Sequence, residues 1–175
     1  MAKKKPPLIE FREPTPFDIT HISAHIRMAD AREIYNATGK PPLPVIRQAV
    51  ANSRHSFVAA VNGVPMVIWG LVVWSDVTGR GSPWAFTCVG VERYKRQFMK
   101  YSKAFVAMAQ EQCPVLLEVN VDAEYVAALR WLEWLGFDVS KKIGHGPENR
   151  PFRVARRSMG SATQPVEYRR EAVNV

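Results

Sequence analysis

The chain has 175 residues, of which 47% are apolar and 23% charged, and its net charge is +8. These values are typical of one globular domain and exclude a disordered or fibrous chain. No apolar run approaches the roughly 18 residues that cross a bilayer. The longest run, residues 64–74, contains Pro65 and Gly70. No apolar segment follows the basic first residues, so we expect no secretory signal.

Part of the positive charge lies near the two ends of the sequence. Three lysines stand at positions 3–5 and five arginines between positions 153 and 170. Basic ends of this kind attract nucleic acid, acidic proteins or anionic membranes through long-range fields. We expect residues 1–8 to form a disordered basic arm and residues 158–175 a tail, flanking one domain over residues 9–157.

The two cysteines, Cys88 and Cys113, have neither the spacing of metal ligands nor the density of a disulfide scaffold. This predicts reduced thiols in a cytoplasm-like compartment. The four histidines also lack metal-ligand spacing, so the sequence predicts no metal site.

The first half of the domain begins with a short strand at residues 9–12. Asp18 is expected to cap a helix whose apolar positions recur at three and four residues, namely Ile19, Ile22, Ile26 and Ala29. A second helix over residues 31–37 is expected to end at Gly39, and a third to run from Pro44 to residue 52. A three-strand meander follows, at residues 57–61, 66–74 and 83–89, with Asn62-Gly63 as its first turn.

The second half contains a long amphipathic helix over residues 93–112. Its apolar stripe comprises Tyr94, Phe98, Tyr101, Phe105 and Met108. Nearly opposite lies what we call the basic stripe, Arg93, Arg96, Lys100 and Lys103. The remaining elements are expected to be a strand at 115–121, a helix at 123–135 ended by Gly136, and strands at 137–140 and 152–156.

The predicted order, β-ααα-βββ-α-β-α-ββ, resembles the GNAT acetyltransferase fold over residues 9–157. The segment 128–137, ALRWLEWLGF, is similar to the helix and Gly-Phe pair near the C-terminus of GNAT proteins. Residues 28–40, 81–84 and 121–137 also resemble a GNAT-like family of short-tailed bacteriophages, known as internal virion proteins or phage acetyltransferases. This implies an α/β fold with a mixed, mostly antiparallel central sheet flanked by helices.

The resemblance also implies acetyl-CoA as the cofactor, with its pyrophosphate at the start of the long helix. The corresponding loop would bind it through Val89, Gly90, Val91, Arg93, Lys95 and Arg96. GNAT enzymes typically carry further glycines in this loop, whereas this chain has Gly90 alone. At the position of the usual tyrosine acid stands Leu132, which has no proton to donate.

Three residues are candidates for catalysis. Glu118 or Asp122, at the strand expected to flank the acyl pocket, could take a proton from an amine. Tyr125 stands where GNAT proteins usually have an asparagine, and it could serve as an acid. For Glu118, an ion pair with an arginine is the alternative, because a charge on an apolar strand needs a partner. For Tyr125 the alternative is a place in the core.

Trp134 and Arg130 share the charged face of the helix at 123–135 and are candidate interface residues. Together with the basic arm at residues 1–8 and the tail at 158–175, these two residues favour a phage structural or virion-assembly protein with a degenerate acetyl-CoA site. Such a protein would be located in the virion or the host cytoplasm. Its partners would be other virion or assembly proteins, with DNA nearby. The alternatives are an acetyl-CoA-dependent N-acetyltransferase and a basic DNA-associated accessory protein. An open split between the strands at 83–89 and 115–121 would favour the enzyme, and a filled split would favour assembly.

Overall fold

The structure is a computed structural model that describes residues 7–159. The strands within this range are β1 Ile9–Arg12, β2 His55–Val61, β3 Val64–Ser75, β4 Arg80–Thr87, β5 Leu116–Asp122, β6 Asp138–His145 and β7 Arg150–Arg157. The helices are α1 Pro16–Ala24, α2 Met28–Thr38, α3 Pro42–Asn52, α4 Lys95–Gln112 and α5 Val126–Trp134, with a 3₁₀ turn at Val91–Tyr94 before α4. This order confirms the predicted β-ααα-βββ-α-β-α-ββ arrangement.

The strands form one seven-stranded sheet in the order β1-β2-β3-β4-β5-β7-β6. All neighbouring strands are antiparallel except β4 and β5, which run parallel. The predicted Asn62-Gly63 turn is confirmed, since both residues have positive φ angles, 50° and 80°. A two-residue turn with this geometry matches the twist of the strands it joins.

Helices cover both faces of the sheet. Successive side chains of a strand point to opposite faces, so those of β2 alternate between two apolar cores. Val58 and Ala60 face the core beneath α1, α2 and α3, which includes Ile22 and Ile46. Ala59 faces the opposite core, where aromatic residues of α4 pack against β3. α5 packs on the same side as α4, in the core that surrounds β5.

Several predicted boundaries in the first three helices are wrong. The N-cap of α1 is Thr15, and Asp18 is instead the third helical residue of a capping box. α1 ends at Ala24, so Ile26 and Ala29 do not belong to it, and α2 starts at Met28 and not at residue 31. α3 begins at Pro42, since a proline fits the first turn at that position as well as at Pro44.

Other predicted features of these helices are confirmed. Gly39 ends α2 in the left-handed conformation, with a φ of 68°. The basic arm up to residue 6 and the tail from residue 160 lie outside the described residues. Within residues 7–159, no helix has the length and apolar character needed to cross a membrane.

Candidate functional site

The two parallel strands part soon after they meet. β4 and β5 pair only at Arg80 with Leu116 and at Gly81 with Leu117. Beyond these pairs the strands separate, which leaves a split that widens toward Thr87 at the end of β4 and Asp122 at the end of β5. The carboxyl ends of both strands, with the loops that follow, lie at this end of the split. In open α/β sheets such a place commonly binds ligands.

Asp30 of α2 connects the two sides of the split. Its Oδ2 accepts hydrogen bonds from the backbone nitrogen of Thr87, at 2.9 Å, and from the Thr87 hydroxyl, at 2.6 Å. Its Oδ1 accepts a hydrogen bond of 2.6 Å from the hydroxyl of Tyr125, which follows β5. Asp30 is buried, so these three donors compensate for the water that its carboxylate has lost.

Two further residues of α2 bind the end of β5. Glu33 accepts a hydrogen bond of 2.9 Å from the backbone nitrogen of Asp122. Asn36 donates its amide hydrogen to the Asp122 carboxylate over 2.7 Å. Together these groups form a continuous arrangement across the mouth of the split, which we call the polar bridge: Asp30, Glu33, Asn36, Thr87, Asp122 and Tyr125.

Glu33 has the chemistry of a proton acceptor that works near neutral pH. Its burial raises the pKa of the carboxyl to about 8, and the negative charges of Asp30 and Asp122 act in the same direction. The hydrogen bond from the Asp122 backbone opposes this effect in part. A base is most effective when its pKa lies near the working pH, so Glu33 is well suited to take a proton from an amine.

The hydroxyl of Tyr125 is less suited to donate a proton. Burial raises its pKa above the usual range, and the charge of Asp30 and its hydrogen bond to Asp30 raise it further. Its proton is directed at Asp30 and not at open space. Tyr125 therefore holds α2 against β5, which agrees with the core position that was the alternative to catalysis.

Glu118 lies within β5, away from the mouth of the split. Its carboxylate accepts a hydrogen bond of 2.6 Å from Arg156 on the neighbouring strand β7. The expected ion pair with an arginine is therefore present. The third candidate, Asp122, is buried within the polar bridge, and its carboxylate also accepts a hydrogen bond from the backbone nitrogen of Glu124.

The loop predicted to bind the pyrophosphate connects β4 to α4. Its cations Arg93, Lys95 and Arg96 are exposed at the start of the helix, where positive charge and free backbone donors favour anions. Gly90 has a φ of 94°, which a residue with a side chain rarely adopts. The amides of Val89, Val91 and Arg93 already donate to the carbonyls of His25, Cys88 and Gly90. These three amides are therefore not free to bind a diphosphate, whereas the exposed cations of the loop are.

Aromatic rings cover the other face of the split. Phe98 of α4 packs in the core that includes Ala85 of β4, and Trp131 of α5 packs in the core that includes Val119 of β5. The two rings stack with their centroids 5.4 Å apart. The contact joins α4 to α5 on the face of the sheet opposite the three helices α1, α2 and α3.

The candidate interface residues lie on the outside of α5. Arg130 is exposed and Trp134 is 37% exposed. The ammonium of Lys103, on α4, sits 4.3 Å from the centroid of the Trp134 ring. This is a favourable cation–π contact between the two helices, and it leaves part of the indole open to solvent.

Sequence reasoning missed Asp30, Glu33 and Thr87, although a signal was present. Asp30 and Glu33 are three residues apart on α2, and Asp30 is four residues before the buried Ile34. Acidic residues on the apolar face of a helix are rarely buried without partners. That signal predicts a polar contact with another element, but it does not say which one.

No protein-family model and no curated protein matches the chain. Solved structures do resemble it. The aminoglycoside acetyltransferase AAC(6')-Ib, in complex with ribostamycin and coenzyme A, superposes with a TM-score of 0.65 at 15% identity, over 94% of this chain and 99% of that one. An N-acetyltransferase from Staphylococcus aureus gives 0.65 at 15% identity, with coverages of 86% and 98%.

A third structure, YncA of Salmonella typhimurium with its cofactor acetyl-CoA, gives a TM-score of 0.63 at 13% identity, over 90% of this chain and 98% of that one. Identities this low establish a shared fold, and the near-complete coverage shows that the likeness extends over the whole domain. The chain therefore has the fold of the GNAT N-acetyltransferases.

Proposed function

We propose that the protein is an acyl-CoA-dependent N-acyltransferase in which Glu33 removes a proton from the acceptor amine. The observation that carries this proposal is the position of the Glu33 carboxyl at the mouth of the split. It combines a raised pKa with a place beside the ends of β4 and β5. The fold of the chain, shared with acetyltransferases that bind coenzyme A, supports the same reaction class.

Acetyl-CoA would supply the activated acyl group, and this chain would supply charge and a base. Arg93, Lys95 and Arg96 are exposed at the start of α4 and would hold the phosphates. The ionised form of Glu33, which increases as pH approaches the raised pKa of about 8, would accept the proton that makes the amine nucleophilic. Asp30 and Tyr125 would keep α2, and with it Glu33, in place.

Calorimetry with acetyl-CoA tests the first half of the proposal. We expect micromolar binding, weakened at least tenfold in R93A/R96A, because two charges that meet the phosphates are removed. The double variant K141A/K142A is the matched control, since it removes two exposed lysines from β6 and should bind normally. The absence of binding to the folded protein at millimolar acetyl-CoA would refute the proposal.

Turnover tests the second half. With acetyl-CoA and a panel of primary amines, E33Q is expected to lower kcat/KM by a factor of about 10² to 10⁴, the usual contribution of a general base. Its affinity for acetyl-CoA should be unchanged. If E33Q retains full activity with the same pH profile, Glu33 is not the base.

A second candidate function is a structural or assembly role in a phage-type virion, on a scaffold whose cofactor site is no longer used. It is favoured by the contacts on both faces of the sheet near the split, which are the polar bridge on one face and the Phe98–Trp131 stack on the other. In that case acetyl-CoA does not bind, and mass spectrometry of purified virions finds the protein at a fixed copy number. Its loss during particle purification would count against this candidate.

A further inference from the structure

The exposed face of α4 carries positive charge over its first three turns. All four residues of the basic stripe are exposed, namely Arg93, Arg96, Lys100 and Lys103. Arg96, Lys100 and Lys103 lie within α4 at spacings of four and three residues, which places them on one side of the helix, and Arg93 lies in the 3₁₀ turn just before it. At about 1.5 Å per residue, the part of the row within α4, from Arg96 to Lys103, is about 10 Å long.

Within residues 7–159, no ion pair neutralises this charge. The ion pairs recorded within residues 7–159 use Arg12, Arg27, Arg32, Arg54, Arg150 and Arg156. None involves a residue of the basic stripe. The nearest acidic neighbour in sequence, Glu92, is paired with Arg27 at 3.3 Å. The stripe is therefore a row of cations available to an anionic partner.

An aromatic side chain lies beside the row. Trp134 of α5 is 37% exposed and is held by Lys103, whose ammonium lies 4.3 Å from the ring centroid. Arg130, one turn earlier on α5, is also exposed and adds a further charge on that helix. A line of cations next to an exposed aromatic ring is the combination that binds single strands, with phosphates on the cations and a base on the ring.

We propose that the basic stripe and Trp134 form a binding surface for single-stranded nucleic acid. A duplex is less suitable, because its stacked bases leave no free face for Trp134. An acidic peptide or an anionic membrane would also meet cations and an indole here, so both are included below as competing ligands. The surface goes beyond the proposed acyl transfer, and Lys100 and Lys103 lie outside the loop assigned to the cofactor.

Fluorescence anisotropy with a labelled oligothymidine of about 16 nucleotides, the upper end of single-domain site sizes, tests this surface. K100E/K103E should weaken binding at least tenfold at low salt. It should also reduce the salt slope of log K by about 1.4, at about 0.7 for each lost phosphate contact. The control K141E/K142E changes the net charge equally on β6 and should lose less than threefold.

Trp134 is tested by a second pair of variants. W134A should weaken binding about fivefold or more, the lower end of the measured range for base stacking. W74A, which removes a 50% exposed indole from β3, should have no effect. Urea unfolding of every variant confirms folding. If either charge-reversal variant fails this test, K100Q/K103Q and K141Q/K142Q replace the pair.

Three results would overturn the proposal. Equal losses of affinity in K100E/K103E and K141E/K142E would show that binding depends on the net charge of the protein and not on this surface. Equal affinities of W134A and W74A for the oligonucleotide would show that the indole of Trp134 does not contribute to binding. Tighter binding to a duplex, to polyglutamate or to phosphatidylserine vesicles would identify a different partner.

Discussion

Asp30 illustrates how one buried carboxylate organises this site. Its two oxygens accept three hydrogen bonds, two from Thr87 and one from Tyr125. The partners lie 57 and 95 residues further along the chain. A buried carboxylate is costly unless it is fully hydrogen-bonded, so each donor should contribute measurably to stability.

Removing the hydroxyl of Tyr125 should therefore destabilise the fold. In Y125F the Asp30 carboxylate loses one of its three donors while remaining buried. We expect the free energy of unfolding to fall by about 1–3 kcal/mol, the typical cost of leaving such a group unsatisfied. Urea denaturation measures this change. The matched control is Y35F, because Tyr35 is 55% exposed on α2 and should change stability by less than about 0.5 kcal/mol. Equal effects would show that the bond to Asp30 is not important for stability.

The raised pKa of Glu33 makes stability depend on pH with a definite sign. In the folded protein the group titrates near 8, against an ordinary value of 4.5. Between these two values the folded state binds more protons than the unfolded state, so the free energy of unfolding falls as pH rises. E33Q cannot ionise and should lose less stability than the wild type between pH 5 and pH 8, a window set by the two pKa values. Urea denaturation across that range is the measurement, with the exposed Glu133→Gln as control. Parallel wild-type and E33Q curves would exclude the raised pKa.

At the scale of elements, α1 shows how a short helix is fixed at its start. Thr15 accepts a hydrogen bond from the backbone of Asp18, and Asp18 accepts one of 2.7 Å from the backbone of Thr15. Arg12 also binds the Asp18 carboxylate, at 2.8 Å through Nη2. These contacts lower the pKa of Asp18 to about 2, with the Arg12 hydrogen bond the largest cause. The charged form of Asp18 thus anchors β1 to α1.

Replacing the cap should weaken this anchor. T15A removes one half of the capping box and should reduce the free energy of unfolding by about 0.5–2 kcal/mol. T20A is the control, since the exposed Thr20 bonds only the Pro16 carbonyl within the same helix and should change stability by less than about 0.5 kcal/mol. Thermal or urea unfolding of both variants gives the comparison, and a T20A effect as large as that of T15A would contradict the role of the cap.

At the scale of the whole molecule, the sheet separates two apolar cores, and each contains a buried cysteine. Cys88 lies in the core beneath α1, α2 and α3, and Cys113 in the core of α4 and α5. Burial raises the pKa of both thiols, to about 11 for Cys88. A thiol in this state has almost no thiolate at neutral pH and reacts slowly.

The two thiols should therefore report unfolding. At pH 7 we expect neither cysteine to react with a disulfide reagent in the native protein, and both to react in denaturant. If the sheet couples the two cores, C88S and C113S, each with one remaining thiol, will become reactive at the same urea concentration. Rapid labelling without urea would mean that the cores open locally, and two separate midpoints would mean that the layers unfold independently.

The sequence by itself determined the order and type of the elements. Each of them carries its own signal, such as the Asn62-Gly63 turn or the apolar stripe of α4, and these signals act over a few residues. It also indicated that Glu118 needs a partner, which is Arg156. Boundaries were less well determined, because Asp18 can serve either as a cap or as the third residue of a capping box.

Only the tertiary structure decided where the site lies. The parting of β4 from β5 and the placement of α2 across their ends bring together side chains that are distant in sequence. The raised pKa of Glu33 has the same origin, since burial and the charges of Asp30 and Asp122 arise only when α2 packs against the sheet. Local periodicity specifies each helix and strand, whereas burial and long-range electrostatics depend on which elements become neighbours.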